Sequence, residues 1–164
     1  MNVIPFDDPR LTAIGLLSEV NAGLAERMNP VFAQAGLSVI EFETLIRLAR
    51  SPQRSLRMGD LAAQTGLSTS GVTRVVDRLE RDSLVVRQPC ASDRRASYAA
   101  LTESGAERLE AVLPRHLEDI DACLTGLLDK EQLNTFLATL RIIRDVVRPG
   151  ATAGVAESER AGRP

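Results

Sequence analysis

The sequence predicts a mainly α-helical chain with one small β-hairpin, and three observations predict it. Apolar residues recur three or four apart over 9–35 and again over 102–147, which is the spacing of one helix face. Residues 57–81 read as two shorter helices joined by a glycine turn. Directly after them, two short β-branched runs flank a polar loop that ends in two arginines. At 164 residues the chain is long enough for one domain with a sizeable core.

Residues 1–8 are expected to be irregular. Asp8 is a candidate N-cap, with Pro9 in the first helical turn. The helix then runs to about residue 35 on a stripe of Leu11, Ile14, Leu17, Asn21, Leu24, Met28 and Val31. Pro30 lies inside it and predicts a kink. Gly36 ends it, and Ser38 caps a helix over 39–50 whose core face holds Phe42, Leu45, Ile46, Leu48 and Ala49. Residues 51–55 are a loop, and Leu56 is expected to make a one-residue ladder with the hairpin. A helix over 58–64 turns Leu61 and Ala62 inward. Thr65-Gly66-Leu67 is a turn in which glycine takes positive φ at no steric cost. Ser68 caps the next helix, which faces Val72, Val75, Val76 and Leu79 inward.

The strands are expected over 84–87 and 95–101, with Tyr98 on one face and the loop 88–94 between them. Thr102 caps a long helix with the stripe Leu109, Val112, Leu113, Leu117, Ile120, Leu124, Leu127 and Leu128. Pro114 falls inside that pattern and predicts a kink or a break near Leu113. Asp129 starts the last helix, with Gln132 in the capping-box position, and Leu133, Phe136, Leu137, Leu140, Ile143 and Val146 or Val147 form its stripe. Pro149-Gly150 stops it. Residues 149–164 are small and polar without periodicity and read as a disordered tail.

A helix, a glycine turn and a second helix with small polar residues at its start describe a helix-turn-helix, and the hairpin is its wing. Ser68, Thr69, Ser70, Thr73 and Arg74 occupy the exposed start of the second helix. Small hydroxyls let a helix approach a groove closely, Arg74 reaches a guanine edge or a phosphate, and free amides at a helix start hold phosphate. An ordinary capped surface helix would begin in the same way. Arg95 at the wing tip suits a narrow minor groove, Arg94 a phosphate, and Asp93 would orient the Arg95 guanidinium; a solvated hairpin tip explains the same charges.

The run LSTSGVTRVVDRLERDSLVVRQPCASDRRASYAALTESG resembles the MarR family of bacterial transcription regulators. The resemblance rests on the L-S-x-S-x-V-T-R start, the V-D-R-L-E continuation, the D-R-R wing and the L-T-x-x-G exit, and it extends over about residues 9–147. It departs at Ser83, where the family usually has glycine; serine at positive φ costs about 1 kcal/mol. The resemblance implies a single domain in which 38–101 is the winged helix-turn-helix and 9–35 and 102–147 are dimerisation helices. It implies a homodimer that reads a pseudo-palindromic double-stranded DNA operator, most often as a repressor. Ser38 becomes a candidate phosphate contact. Arg78 is a further DNA candidate that would equally serve to brace its helix against an acid. The family's ligand position, between dimerisation helices and wing domain, suggests release by a small anionic or aromatic effector, with Arg10, Arg27, Arg47 or Arg115 on a carboxylate and Phe32, Phe42 and Met58 as lining. Each of these arginines, taken singly, is better explained as solvated or salt-bridged.

Charge fits a reader of nucleic acid only when resolved along the chain. The net charge is −2, yet residues 47–95 carry ten arginines against five acids, a balance of +5. No apolar run approaches the ~20 residues of a membrane span, there is no signal-peptide pattern, and two separated cysteines give no disulfide framework, so the expected location is the cytoplasm. No cofactor is expected. His116 is the single histidine, and with Cys90 and Cys123 apart it does not complete a metal site. No catalytic constellation is present, so the chain is not expected to be an enzyme. Two alternatives stay open: a ligand-binding or protein-interaction dimer without DNA binding, and a redox sensor. For the latter, Cys90 near Arg87 and Arg94 would have a lowered pKa, although a wing cysteine pointing at solvent accounts for it more simply; Cys123 reads as a small core residue.

Overall fold

A computed structural model describes residues 6–90 and 96–154. The helices are α1 (Pro9–Gln34), α2 (Val39–Ala49), α3 (Met58–Thr65), α4 (Thr69–Arg81), α5 (Glu103–Cys123) and α6 (Lys130–Val147), and the strands are β1 (Ser55–Arg57), β2 (Val85–Pro89) and β3 (Ser97–Leu101). The architecture is mainly α with a small antiparallel sheet of order β1-β3-β2. β2 and β3 form the wing hairpin, from Val85 opposite Leu101 to Pro89 opposite Ser97. β1 pairs over three residues, Ser55 to Arg57 against Ala100 to Tyr98, where a single ladder residue was expected. Leu56 is buried there, and its flanking residues extend the pairing.

Local signals set the helix starts. Asp8 accepts from the Arg10 amide. Ser38 and Glu41 form a reciprocal capping box, as do Asp129 and Gln132. Ser68 and Thr102 cap α4 and α5. The two internal prolines do not divide their helices: α1 continues through Pro30 and α5 through Pro114. Of the kink or break expected near Leu113, the break is absent. Proline removes one intrahelical bond, while Val112 is buried and Leu113 packs on the core beside it. α5 stops earlier than its stripe suggested, because Leu124 leaves the helical region (φ −143°, ψ −72°) and residues Thr125–Leu127 form a 3-10 turn.

The core lies within the wing domain, around Leu45, Leu48, Leu61, Val72, Val76 and Leu79, all essentially inaccessible. α1 contributes only Phe32 as a buried residue, and α6 contributes none. Their apolar stripes stay largely open, with Ile14, Leu17, Ile142, Ile143, Val146 and Val147 all exposed. The tail reading needs correction at its start. Pro149–Thr152 is an ordered 3-10 turn against α3, and composition missed it because its order comes from that docking. Residues 155–164 lie outside the described residues.

The exit of α4 is a Schellman turn: Leu84 donates to the Leu79 carbonyl at 2.8 Å and Ser83 to that of Glu80 at 3.0 Å. Ser83 occupies the left-handed position at φ 60°. Ser83→Gly is expected to stabilise the protein by about 1 kcal/mol, read as a higher urea midpoint at unchanged slope.

Candidate nucleic-acid interface

α4 is presented by a rigid turn. Gly66 sits at φ 71°, the Leu67 amide closes on the Ala62 carbonyl at 3.1 Å, and the Thr65 hydroxyl donates to the Leu61 carbonyl at 2.7 Å. Ser68 then accepts from the Gly71 amide at 3.1 Å, and its hydroxyl lies 3.1 Å from that of Ser70. With Val72, Val75, Val76 and Leu79 buried, the opposite face must be open, and Ser68, Thr69, Ser70, Thr73 and Arg74 are all exposed. The Thr73 hydroxyl donates to the Thr69 carbonyl at 2.8 Å, which leaves its lone pairs outward. Arg74 makes no ion pair among the described residues.

Two other arginines hold this helix in place. Arg78 pairs with Glu41 at 2.6 Å, and the same carboxylate accepts the Ser38 amide and hydroxyl at 2.8 and 2.7 Å. Burial pushes the Glu41 carboxyl up, but the bonds from Arg78 and Ser38 outweigh it and hold the pKa below the ordinary value. Ser38 and Arg78 are thus engaged in bracing α4 against α2. Arg87 on β2 reaches Asp77 and Glu80 at 2.6 Å each and the Thr73 carbonyl at 3.2 Å. Its burial lowers its pKa, and the two acids more than reverse that. Sequence reasoning missed this brace, although acids three apart beside a strand arginine were its signal. Arg57 on β1 donates to the Tyr98 hydroxyl at 3.0 Å and lies 3.7 Å from the Cys90 sulfur. Cys90 is buried at 8% exposure, so it does not point at solvent, and Arg57 is an arginine in contact with it. The wing ladder ends where the Cys90 amide meets the Ala96 carbonyl at 3.1 Å; Asp93, Arg94 and Arg95 lie outside the described residues.

A cleft of about 470 Å³ opens between α2 and α5. Phe42, Ile46, Leu109, Leu113 and Leu117 supply apolar lining, and Arg50, Arg54, Glu110 and His116 supply polar groups. Of the seven ligand candidates only Phe42 lines it. Phe32 stacks behind Phe42 with ring centroids 4.2 Å apart. Arg10 pairs with Asp8, Arg47 with Glu43 and Arg115 with Asp119. Arg27 borders a hollow beside Cys123, and Met58 one beside Thr69 and Thr73. The reason is helical phase: the cleft takes residues 106, 109, 110, 113, 116, 117 and 120 of α5, and Arg115 falls off that face. Arg50 and Arg54 were legible as basic residues but not as cleft residues. Cys123 is half-buried and donates to the Asp119 carbonyl at 2.6 Å.

His116 packs edge-on to both Phe32 and Phe42, at 4.9 and 5.0 Å, and its Nδ1 is buried without a partner among the described residues. Burial lowers its pKa, and Asp119 only partly opposes this. A folded pKa below the unfolded value means that the unfolded chain binds the extra proton. Stability is therefore expected to fall as pH drops through the unfolded histidine value near ~6.5 toward the folded one. Urea midpoints from pH 8 to 5 should show this fall in wild type and a smaller one in His116→Leu.

A family model described as MarR family matches residues 35–96. The HTH-type transcriptional regulator MhqR of Bacillus subtilis (strain 168) is 31% identical over 117 residues, 71% of this chain and 79% of that protein. The chain belongs to the MarR family. It is a winged helix-turn-helix transcription regulator and not an enzyme. Among MarR structures, Sco3205 from Streptomyces coelicolor, in complex with DNA, matches with a TM-score of 0.78 and 27% identity over 91% of this chain and 93% of that one. CouR from Rhodococcus jostii RHA1, bound to p-coumaroyl-CoA, matches with a TM-score of 0.70 and 28% identity over 81% and 90%. The similarity thus covers the flanking helices as well as the wing domain. Among the described residues of this MarR chain, no helix is long and apolar enough to cross a membrane.

Proposed function

We propose that this chain is a cytoplasmic repressor that binds a pseudo-palindromic operator as a homodimer and is released by a small anionic or aromatic effector. The observation that carries the reading is the exposed start of α4, with three hydroxyls and an uncommitted Arg74 on a helix braced from two sides. In this reading Thr69, Ser70, Thr73 and Arg74 contact the major groove and its phosphates, and Ser68 adds a hydroxyl beside the free amides. Arg95 takes the minor groove, with Arg94 on phosphate and Asp93 orienting. That the structural neighbour Sco3205 is in complex with DNA supports the DNA-binding reading. The open apolar faces of α1 and α6 support an isologous dimer, since a second copy is what would cover them both. The apolar cleft between α2 and α5 supports the effector, with Arg50 and Arg54 as partners for an anionic group, and CouR holds a ligand with an aromatic acyl group.

Selection of bound duplexes from a genomic pool at moderate salt tests this. The expected product is an inverted repeat with half-sites about one helical turn apart, bound with an affinity that falls steeply with salt. Recovery of no sequence above background, with salt-independent weak binding, would overturn it in favour of a dimer that does not read DNA.

A further inference from the structure

We propose that the segment after α6, residues 148–154, is a strap that positions the helix-turn-helix, with Arg148 as its positioning residue. The inference deepens the DNA-binding reading and rests on it for its consequence, though not for its geometry.

At Arg148 the backbone leaves α6 (φ −142°, ψ 60°) and turns onto α3. The Arg148 guanidinium donates to the Gln64 carbonyl at 3.2 Å. That carbonyl belongs to the last turn of α3, where carbonyls lack helical partners and the dipole favours a cation. The same guanidinium lies flat against Gly66: a Cβ built there would stand 2.7 Å from Nη2 and 3.1 Å from Nη1. Gly66 is therefore constrained twice, by its positive φ and by the arginine occupying its open side. Farther along, Gln64 Nε2 donates to the Ala153 carbonyl at 2.5 Å. Gln64 is 4% exposed, and without the strap this buried amide would lose that bond, which is costly in a core. Arg47 donates to the Ala151 carbonyl at 3.3 Å, tying the strap to α2. Gly150 packs on Ala63, and Gly154 on Leu56 and Asp60.

The strap thus grips α2, α3 and the turn before α4, while α6 itself buries no residue in its own chain. A rotation of α6 within a dimer would reach the recognition helix by this route. Arg148 joins the end of α6 to the turn, so it sets the entry direction of α4 without needing to touch DNA.

The test uses full-length Arg148→Ala and Arg148→Lys. Amide hydrogen exchange is followed at Gly66 and Leu67, both bonded to the Ala62 carbonyl, with Val75 and Val76 as core controls. Operator affinity is measured across a salt series and dimer mass in parallel. In Arg148→Ala, exchange is expected to accelerate at Gly66 and Leu67 but not at the controls. Operator affinity is expected to fall roughly 2- to 30-fold, with salt slope and dimer mass unchanged. Arg148→Lys should not restore protection, because an ammonium does not reproduce the planar contact on Gly66. Three outcomes would overturn the proposal: unchanged exchange at the turn, equal acceleration at the controls, or a salt slope reduced by about one unit, which would make Arg148 a phosphate contact. If wild type selects no operator, the DNA reading fails, and the exchange comparison still decides the positioning role.

Discussion

Gly105→Ala is expected to destabilise the protein by about 3 kcal/mol or more, the upper end of what overpacking costs. Gly105 lies in the first turn of α5, where a Cβ would stand 2.2 Å from the Leu84 carbonyl oxygen and 2.7 Å from Leu101 Cδ1. The Leu84 oxygen cannot retreat cheaply, because it accepts the Thr102 amide at 3.1 Å. Thr102 is fixed in turn: its hydroxyl accepts from the Gly105 amide and donates to the Ser83 carbonyl at 2.7 Å. Alanine gains about 1 kcal/mol of helix propensity over glycine, which is too little to offset the clash. Urea unfolding at fixed protomer concentration, which matters for the proposed dimer, checks the result. A wild-type midpoint would show that α5 shifts freely on the wing domain. The position also gives the L-T-x-x-G motif its physical meaning, since α5 crosses the wing backbone where no side chain fits.

Arg74→Ala is expected to cost about 1–3 kcal/mol of operator affinity, roughly 5- to 150-fold, with dimer mass and unfolding midpoint unchanged. Arg74 is exposed and makes no ion pair among the described residues, so its removal leaves no buried partner unsatisfied. Equilibrium binding to the selected operator and to a scrambled duplex separates its two possible contacts. Loss on the operator alone identifies a base contact; equal loss on both, with a salt slope lower by about one, identifies a phosphate contact. Unchanged affinity for both would remove Arg74 from the interface. Arg78 makes the useful contrast, since Arg78→Ala also strips Glu41 of its ion-pair partner and should lower stability along with binding.

The helices and their starts were legible because capping is local. Asp8, Ser38, Ser68, Thr102 and Asp129 each bond to an amide two or three residues on, and the buried face of α4 repeats at helical spacing. Gly66 and Ser83 were legible for the same reason, as turn positions that need positive φ. The arginines were not. Nothing near Arg78 or Arg148 in sequence shows which group each one braces, because Glu41 and the Gln64 carbonyl lie on other elements. Phe42 was placed in the cleft, whereas Arg115 was not excluded from it, since its neighbours in sequence do line the cleft and only the phase of α5 separates them.

By itself, then, the sequence determined the order of helices, the turn that opens α4, the hairpin and the family, all of which rest on patterns within a few residues. Tertiary structure alone decided that Arg78 and Arg87 brace α4, which face of α5 meets α2, and that residues 149–154 dock on α3 instead of trailing away. Those outcomes depend on charge pairs, close backbone approach and one buried amide formed between distant segments. Such contacts are stable only after the core has brought the segments together.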